Sequence, residues 1–71
     1  MSRHQSEFPY LIQWKSKSLD VRQRVARFAD YYEASIYAQW QSQQWAGTVE
    51  IWNNKNKMTI AYQNGNALPL G

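Results

Sequence analysis

The chain of 71 residues has no cysteine, a single histidine, two prolines and three glycines. Without cysteine there are neither disulfide staples nor thiolate metal sites, so the redox compartment is left open. One histidine, His4, and five carboxylates are a thin stock for acid–base chemistry, which needs titratable groups tuned by burial or by one another. His4 also stands in a patternless, polar N-terminal stretch, MSRHQSEF. No glycine-rich turn precedes a helix pattern, and no His, Asp and Glu fall at metal-ligand spacing. The sequence therefore predicts no catalytic residue, no cofactor and no metal site. No apolar run approaches the roughly 18 residues of a membrane span, and Met1 to Tyr10 contains no signal-peptide core. The expectation is a soluble cytoplasmic protein with no membrane partner.

What is abundant is aromatic surface. Four Trp and five Tyr stand against two Phe, and Trp and Tyr combine an apolar body with a polar handle suited to half-exposed sites. A chain this short buries only about 60% of the surface its unfolded form exposes, so the core is thin. The formal net charge is +3. Arg22, Arg24 and Arg27 are balanced by Asp20, Asp30 and Glu33, which places the positive excess in the flanking segments.

Pro9 opens PYLIQWKSK, in which Tyr10, Ile12 and Trp14 alternate with Leu11, Gln13 and Lys15, the period of a half-buried strand. Beyond it Val21, Val25, Phe28, Tyr32, Ile36 and Trp40 form an apolar stripe near helical spacing. The stripe predicts one helix from Leu19 to about Trp45, with Ser18 as its cap, Asp20 in its first turn and Gly47 as a left-handed closing residue. An alternative ends the helix near Tyr32 and makes Ser35 to Gln41 a further strand.

Thr48 to Asn53 and Lys57 to Gln63 read as a hairpin turning at Asn54-Lys55. A two-residue turn sets Ile51 opposite Met58 and Val49 opposite Ile60 on the core face, and Trp52 opposite Lys57 and Glu50 opposite Thr59 on the other. Asn64-Gly65 marks another turn, followed by an edge contact or a tail. The fold class expected is α+β: a small antiparallel sheet, strand-helix-strand-strand, with one long helix packed on one face. The domain spans residues 9–65, between a flexible N-terminus (1–8) and a C-terminal tail (66–71).

Two surfaces follow. The helix-free sheet face would carry Gln13, Lys15, Lys17, Trp52 and Lys57, which with Lys55 of the turn make a basic aromatic patch for a partner. Tyr37, Trp40 and Trp45, ringed by glutamines, point in too many directions for one thin sheet to cover and suggest a second interface or a homodimer. The polar helix face with Arg24, Arg27 and Tyr31 is internally balanced in charge.

The segment GTVEIWNNKNKMTIAYQNG, preceded by a helix and a strand, resembles small phage-encoded anti-CRISPR proteins that inhibit type I-F surveillance complexes. The likeness lies in the hairpin, in its Gly-Thr-Val lead-in and its Ala-Tyr before a turn glycine. It implies a phage inhibitor that works by occupancy, blocking a host CRISPR effector complex through protein–protein contact. The residues read by themselves also allow a small nucleic-acid binder that uses the lysines with Trp52 as a stacking platform, or a homodimeric adaptor subunit.

Overall fold

The computed structural model describes residues 7–69. In chain order it forms β1 (Tyr10–Lys15), β2 (Arg22–Phe28), α1 (Tyr31–Gln44), β3 (Thr48–Trp52), β4 (Met58–Gln63) and β5 (Asn66–Leu68). The strands make one antiparallel sheet in the order β2-β1-β3-β4-β5, and α1 packs on one face of it, so the α+β class stands. Strand β5 is the edge contact allowed beyond Asn64-Gly65, both of which take positive φ, at 54° and 83°. His4 and most of the N-terminal stretch lie outside the described residues, as do Leu70 and Gly71.

The single helix expected from Leu19 is replaced by a strand and a shorter helix. A β-bulge makes the difference: Ile12 faces Ala26 while Gln13 faces Arg24, leaving Val25 as the extra residue. The bulge sets Val25, Ala26 and Phe28 toward the core. It thereby produces a three-residue apolar spacing that imitates a helix. The helix begins instead at Asp30, whose backbone is extended and whose carboxylate accepts the Tyr32 N–H at 3.3 Å, with Glu33 in the first turn. Ser18 caps no helix; it lies in the β1–β2 connection, its hydroxyl 3.2 Å from that of Ser16, and Asp20 pairs with Lys15 at 3.6 Å. Ser35 to Gln41 lie in mid-helix, so the alternative strand is also absent.

The apolar stripe does not face the sheet. Ala34, Ala38 and Ser42 do, all at 0% exposure, whereas Tyr32, Ile36 and Trp40 are 68%, 51% and 53% exposed. Val21 lies in the β1–β2 connection and is exposed as well. Small side chains let the helix axis come close to the sheet, where Ile12, Val49, Ile51 and Tyr62 complete the buried core. Polar clamps fix that approach. The buried Ser42 hydroxyl donates to Gln39 O at 2.7 Å and accepts the Gly65 N–H at 2.8 Å, while Gln39 Nε2 donates to Gly65 O at 2.9 Å. The β4–β5 turn is thus tied to the inner edge of α1.

Gly47 has φ 109°, but it lies two residues past the helix cap, Trp45. Its constraint comes from the neighbouring strand: a Cβ there would sit 2.3 Å from the carbonyl oxygen of Lys15. The β3–β4 register is shifted two residues from the expected one, with Ile51 opposite Ile60, Val49 opposite Tyr62 and Glu50 opposite Ala61. A bulge at Ile51/Trp52 then sets Trp52 opposite Met58. The cause is the Asn53 side chain, whose Oδ1 accepts the Lys55 N–H at 2.9 Å and the Lys57 N–H at 3.0 Å, holding a wider loop in which Asn56 takes φ 62°. Because the shift is even, Val49, Ile51, Ile60 and Tyr62 keep the core face, whereas Met58, expected there opposite Ile51, is carried by the bulge to the position opposite Trp52 and lies outside the core.

Candidate functional site

The helix-free face is assembled by the strand order. Placing β2 beside β1 and β1 beside β3 sets Arg22, Arg24 and Arg27 next to Lys15, Gln13 and Leu11, which in turn neighbour Thr48, Glu50 and Trp52. Without the bulge at Val25, strand alternation would send Arg27 to the face opposite Arg22 and Arg24. With it, three arginines line one face of an edge strand.

At the centre of this face Glu50 is only 3% exposed. Its Oε1 accepts from Arg22 Nε at 2.7 Å and from Trp52 Nε1 at 2.8 Å, and the Arg22 guanidinium lies 5.4 Å above the Trp52 ring. The bond to Glu50 stabilises the charged guanidinium and raises the Arg22 pKa further above its ordinary value. A carboxylate buried this far tolerates its charge because both donors satisfy it. The trio therefore holds Trp52 and Arg22 in fixed poses on the sheet, and Trp52 presents a half-buried ring already stacked by a cation.

Arg24 and Arg27 are the arginines left over. Arg27 donates to Phe8 O at 3.3 Å, and Arg24 has no hydrogen bond or ion pair within the described residues. Together with Leu11, Trp52, Asn53, Asn54 and Asn56 they line a notch of about 100 Å³ at the loop end of the sheet. The notch offers two forked cations, three side-chain amides and one aromatic wall, a set suited to an anionic group carrying a planar or hydrogen-bonding neighbour.

The residues expected at the partner surface separate under this geometry. Gln13, Lys15 and Trp52 share the helix-free face, with Lys15 tied to Asp20. Lys17 lies in the exposed connection at the Lys15 end, and Lys55 and Lys57 lie in the exposed loop at the opposite end. Lys57 does not pair across from Trp52, because the Asn53-held loop removes it from the ladder, and Arg22 takes the place over the ring. Arg22, Arg24, Arg27 and Glu50 complete the face. The i, i+2, i+5 arginine spacing signals them only once a bulge is allowed for.

Tyr37, Trp40 and Trp45 are not one cluster. Trp45 packs edge-on against Trp14 at 5.7 Å, and Trp14 donates its indole N–H to Ala46 O at 2.8 Å. Tyr37 stacks on Phe28 at 5.3 Å and accepts from Gln41 Nε2 at 2.9 Å. Only Trp40 stands mainly outward, beside Tyr37 at 6.3 Å.

Among the described residues no three His, Cys, Asp or Glu side chains are grouped to hold a metal ion, and no helix is long and apolar enough to cross a membrane. The fold and this face define a small α+β domain with a basic, aromatic-bearing open sheet. The chain matches no protein-family model, no curated protein and no solved structure.

Proposed function

We propose that the protein is a small non-catalytic binding module whose open sheet face takes the backbone of a single-stranded nucleic acid. The observation that carries this reading is the bulged strand β2, which sets Arg22, Arg24 and Arg27 on one face beside Lys15 and Trp52. A row of forked cations along a strand suits successive phosphates, and the Trp52 wall with the Asn53, Asn54 and Asn56 amides suits a base at the end of the row. Glu50 fixes Arg22 over Trp52, so Arg24 and Arg27 are the principal phosphate contacts.

Fluorescence anisotropy with a labelled oligothymidine tests it. Binding at low salt is expected to weaken linearly in log salt with a slope of about −2 to −3, at about −0.7 per phosphate neutralised. Arg24→Ala with Arg27→Ala should lower the slope by more than one and leave the circular dichroism spectrum unchanged. Absence of binding at low salt, or a double variant that binds as tightly as the parent, overturns the reading.

A second reading is favoured by the uncharged aromatic outer face of α1. In it the chain is a phage inhibitor of the anti-CRISPR kind that occupies a protein surface on a host defence complex in the bacterial cytoplasm. Binding of that kind is expected to respond weakly to salt and to be lost with Trp40→Ala rather than with the arginine variants.

A further inference from the structure

Helix α1 is inverted relative to an ordinary surface helix. Its outer stripe is Tyr32, Ile36 and Trp40, more than half exposed at every position, and Glu33 is the one charged residue among its fourteen. Beside the stripe runs a shallow groove with almost wholly apolar walls, lined by Glu33, Ile36, Tyr37 and Trp40. Those four residues are spaced i, i+3, i+4 and i+7, the arrangement that forms a hole for a knob from a facing helix.

We infer that the knob comes from a second copy of this chain, with α1 packed antiparallel on α1 about a two-fold axis beside Ile36. The stripe is symmetric about Ile36 in spacing, with a large aromatic four residues to either side. An antiparallel copy therefore seats its Ile36 in the hole and brings its Trp40 over Tyr32 and Glu33, and the reciprocal contacts are the same. The charges agree with that orientation: parallel packing would set the two Glu33 carboxylates side by side, whereas antiparallel packing sends them to opposite ends. The arginine-bearing sheet faces point away from the axis, so the two positive patches do not oppose each other.

The exposed parts of the three stripe residues and their flanks amount to on the order of 500 Å² per copy, given about 150–250 Å² for a fully buried large aromatic. Roughly 1,000 Å² in total lies at the lower limit for a specific interface. The dimer is therefore expected to be weak, dissociating in the micromolar range. It would leave the two sheet faces on opposite sides of the dimer, and the interface stands independently of what those faces bind.

Sedimentation equilibrium of the full chain between about 1 μM and 1 mM is expected to show the mass rising from 8.4 kDa toward twice that value. Ile36→Asp should hold the chain monomeric throughout with an unchanged circular dichroism spectrum, and Arg24→Glu should leave the association as it is. The chain has no cysteine of its own, so single substitutions report the geometry. A short bis-maleimide is expected to join two copies of Ile36→Cys. It should join Tyr32→Cys to Trp40→Cys in an equimolar mixture, and leave Tyr32→Cys alone uncoupled. A parent chain that stays monomeric at 1 mM shows that a different partner covers the stripe, and overturns the inference. So does a dimer that survives Ile36→Asp, or efficient self-coupling of Tyr32→Cys, the signature of parallel pairing.

Discussion

The two faces of α1 obey opposite rules although they share one backbone. On the inner face Ala34, Ala38 and Ser42 are fully buried and every polar atom is bonded; on the outer face Tyr32, Ile36 and Trp40 are mostly in solvent. The inner face is selected for closeness. Small side chains there let Ser42 and Gln39 reach the Asn64-Gly65 turn, and larger ones would lift the helix off the sheet. The outer face cannot be accounted for by the monomer, since exposing large apolar side chains gains it no buried area. Burial in the monomer thus tracks the need for close approach, and residue size tracks contact with something outside the chain.

Four substitutions and one titration sharpen or break this contrast. The largest effect belongs to Ala38→Asp, which sets an unpaired carboxylate against Val49 and Ile51 in a core with no partner for it. No cooperative thermal transition is expected, and a melting curve like the parent's would show that the inner face is not the packed one. Ser42→Ala comes next. It leaves the Gly65 N–H without an acceptor in a buried position, and the expected cost is about 1–3 kcal/mol in denaturant unfolding.

Tyr62 gives a smaller, pH-dependent effect from the sheet side of the same contact. Burial raises its pKa above the ordinary 10.0, with a further contribution from Tyr31. A raised folded-state pKa means that the neutral phenol is favoured in the fold, so its contribution is complete below pH 10.0 and is lost as the unfolded chain ionises first above it. Melting temperature should fall on the alkaline side of that value, and Tyr62→Phe should shallow the fall. An identical alkaline limb in both proteins would remove Tyr62 as its cause.

The smallest effect is expected on the outer face. Ile36→Ser, measured on dilute monomer, should change stability by less than about 0.5 kcal/mol, as surface substitutions usually do. A loss comparable to that of Ser42→Ala would mean that the stripe packs within its own chain, and the contrast between the faces would fail.

Much of the sheet is legible in the residues. Tyr10, Ile12 and Trp14 alternate with Leu11, Gln13 and Lys15, and Val49, Ile51, Ile60 and Tyr62 keep their faces even under a two-residue register error, because strand periodicity is two. The Asn64-Gly65 turn is announced by residues that accept positive φ. The hairpin register is less legible, since Asn53 acts through its side chain, bonding two loop N–H groups, and so widens a loop that composition alone makes tight. The start of α1 carried a signal in Asp30 followed three residues on by Glu33, an acidic cap and first turn, but the apolar stripe running through it masked the boundary.

By itself, then, the sequence determined the alternating strands, the turns and an α+β composition of elements, because these rest on local periodicity and on backbone preferences that act within a few residues. Only the tertiary structure decided that residues 22–28 form a strand, that α1 buries its alanines, and that Arg22, Arg24 and Arg27 meet Glu50 and Trp52. The reason is the same in each case. A bulge changes which side chains share a face only when a neighbouring strand is there to pair with, and a helix face is chosen by the depth of the surface it meets. Cross-strand neighbours such as Arg22 and Glu50, 28 residues apart, are set by the order β2-β1-β3, which no local pattern encodes.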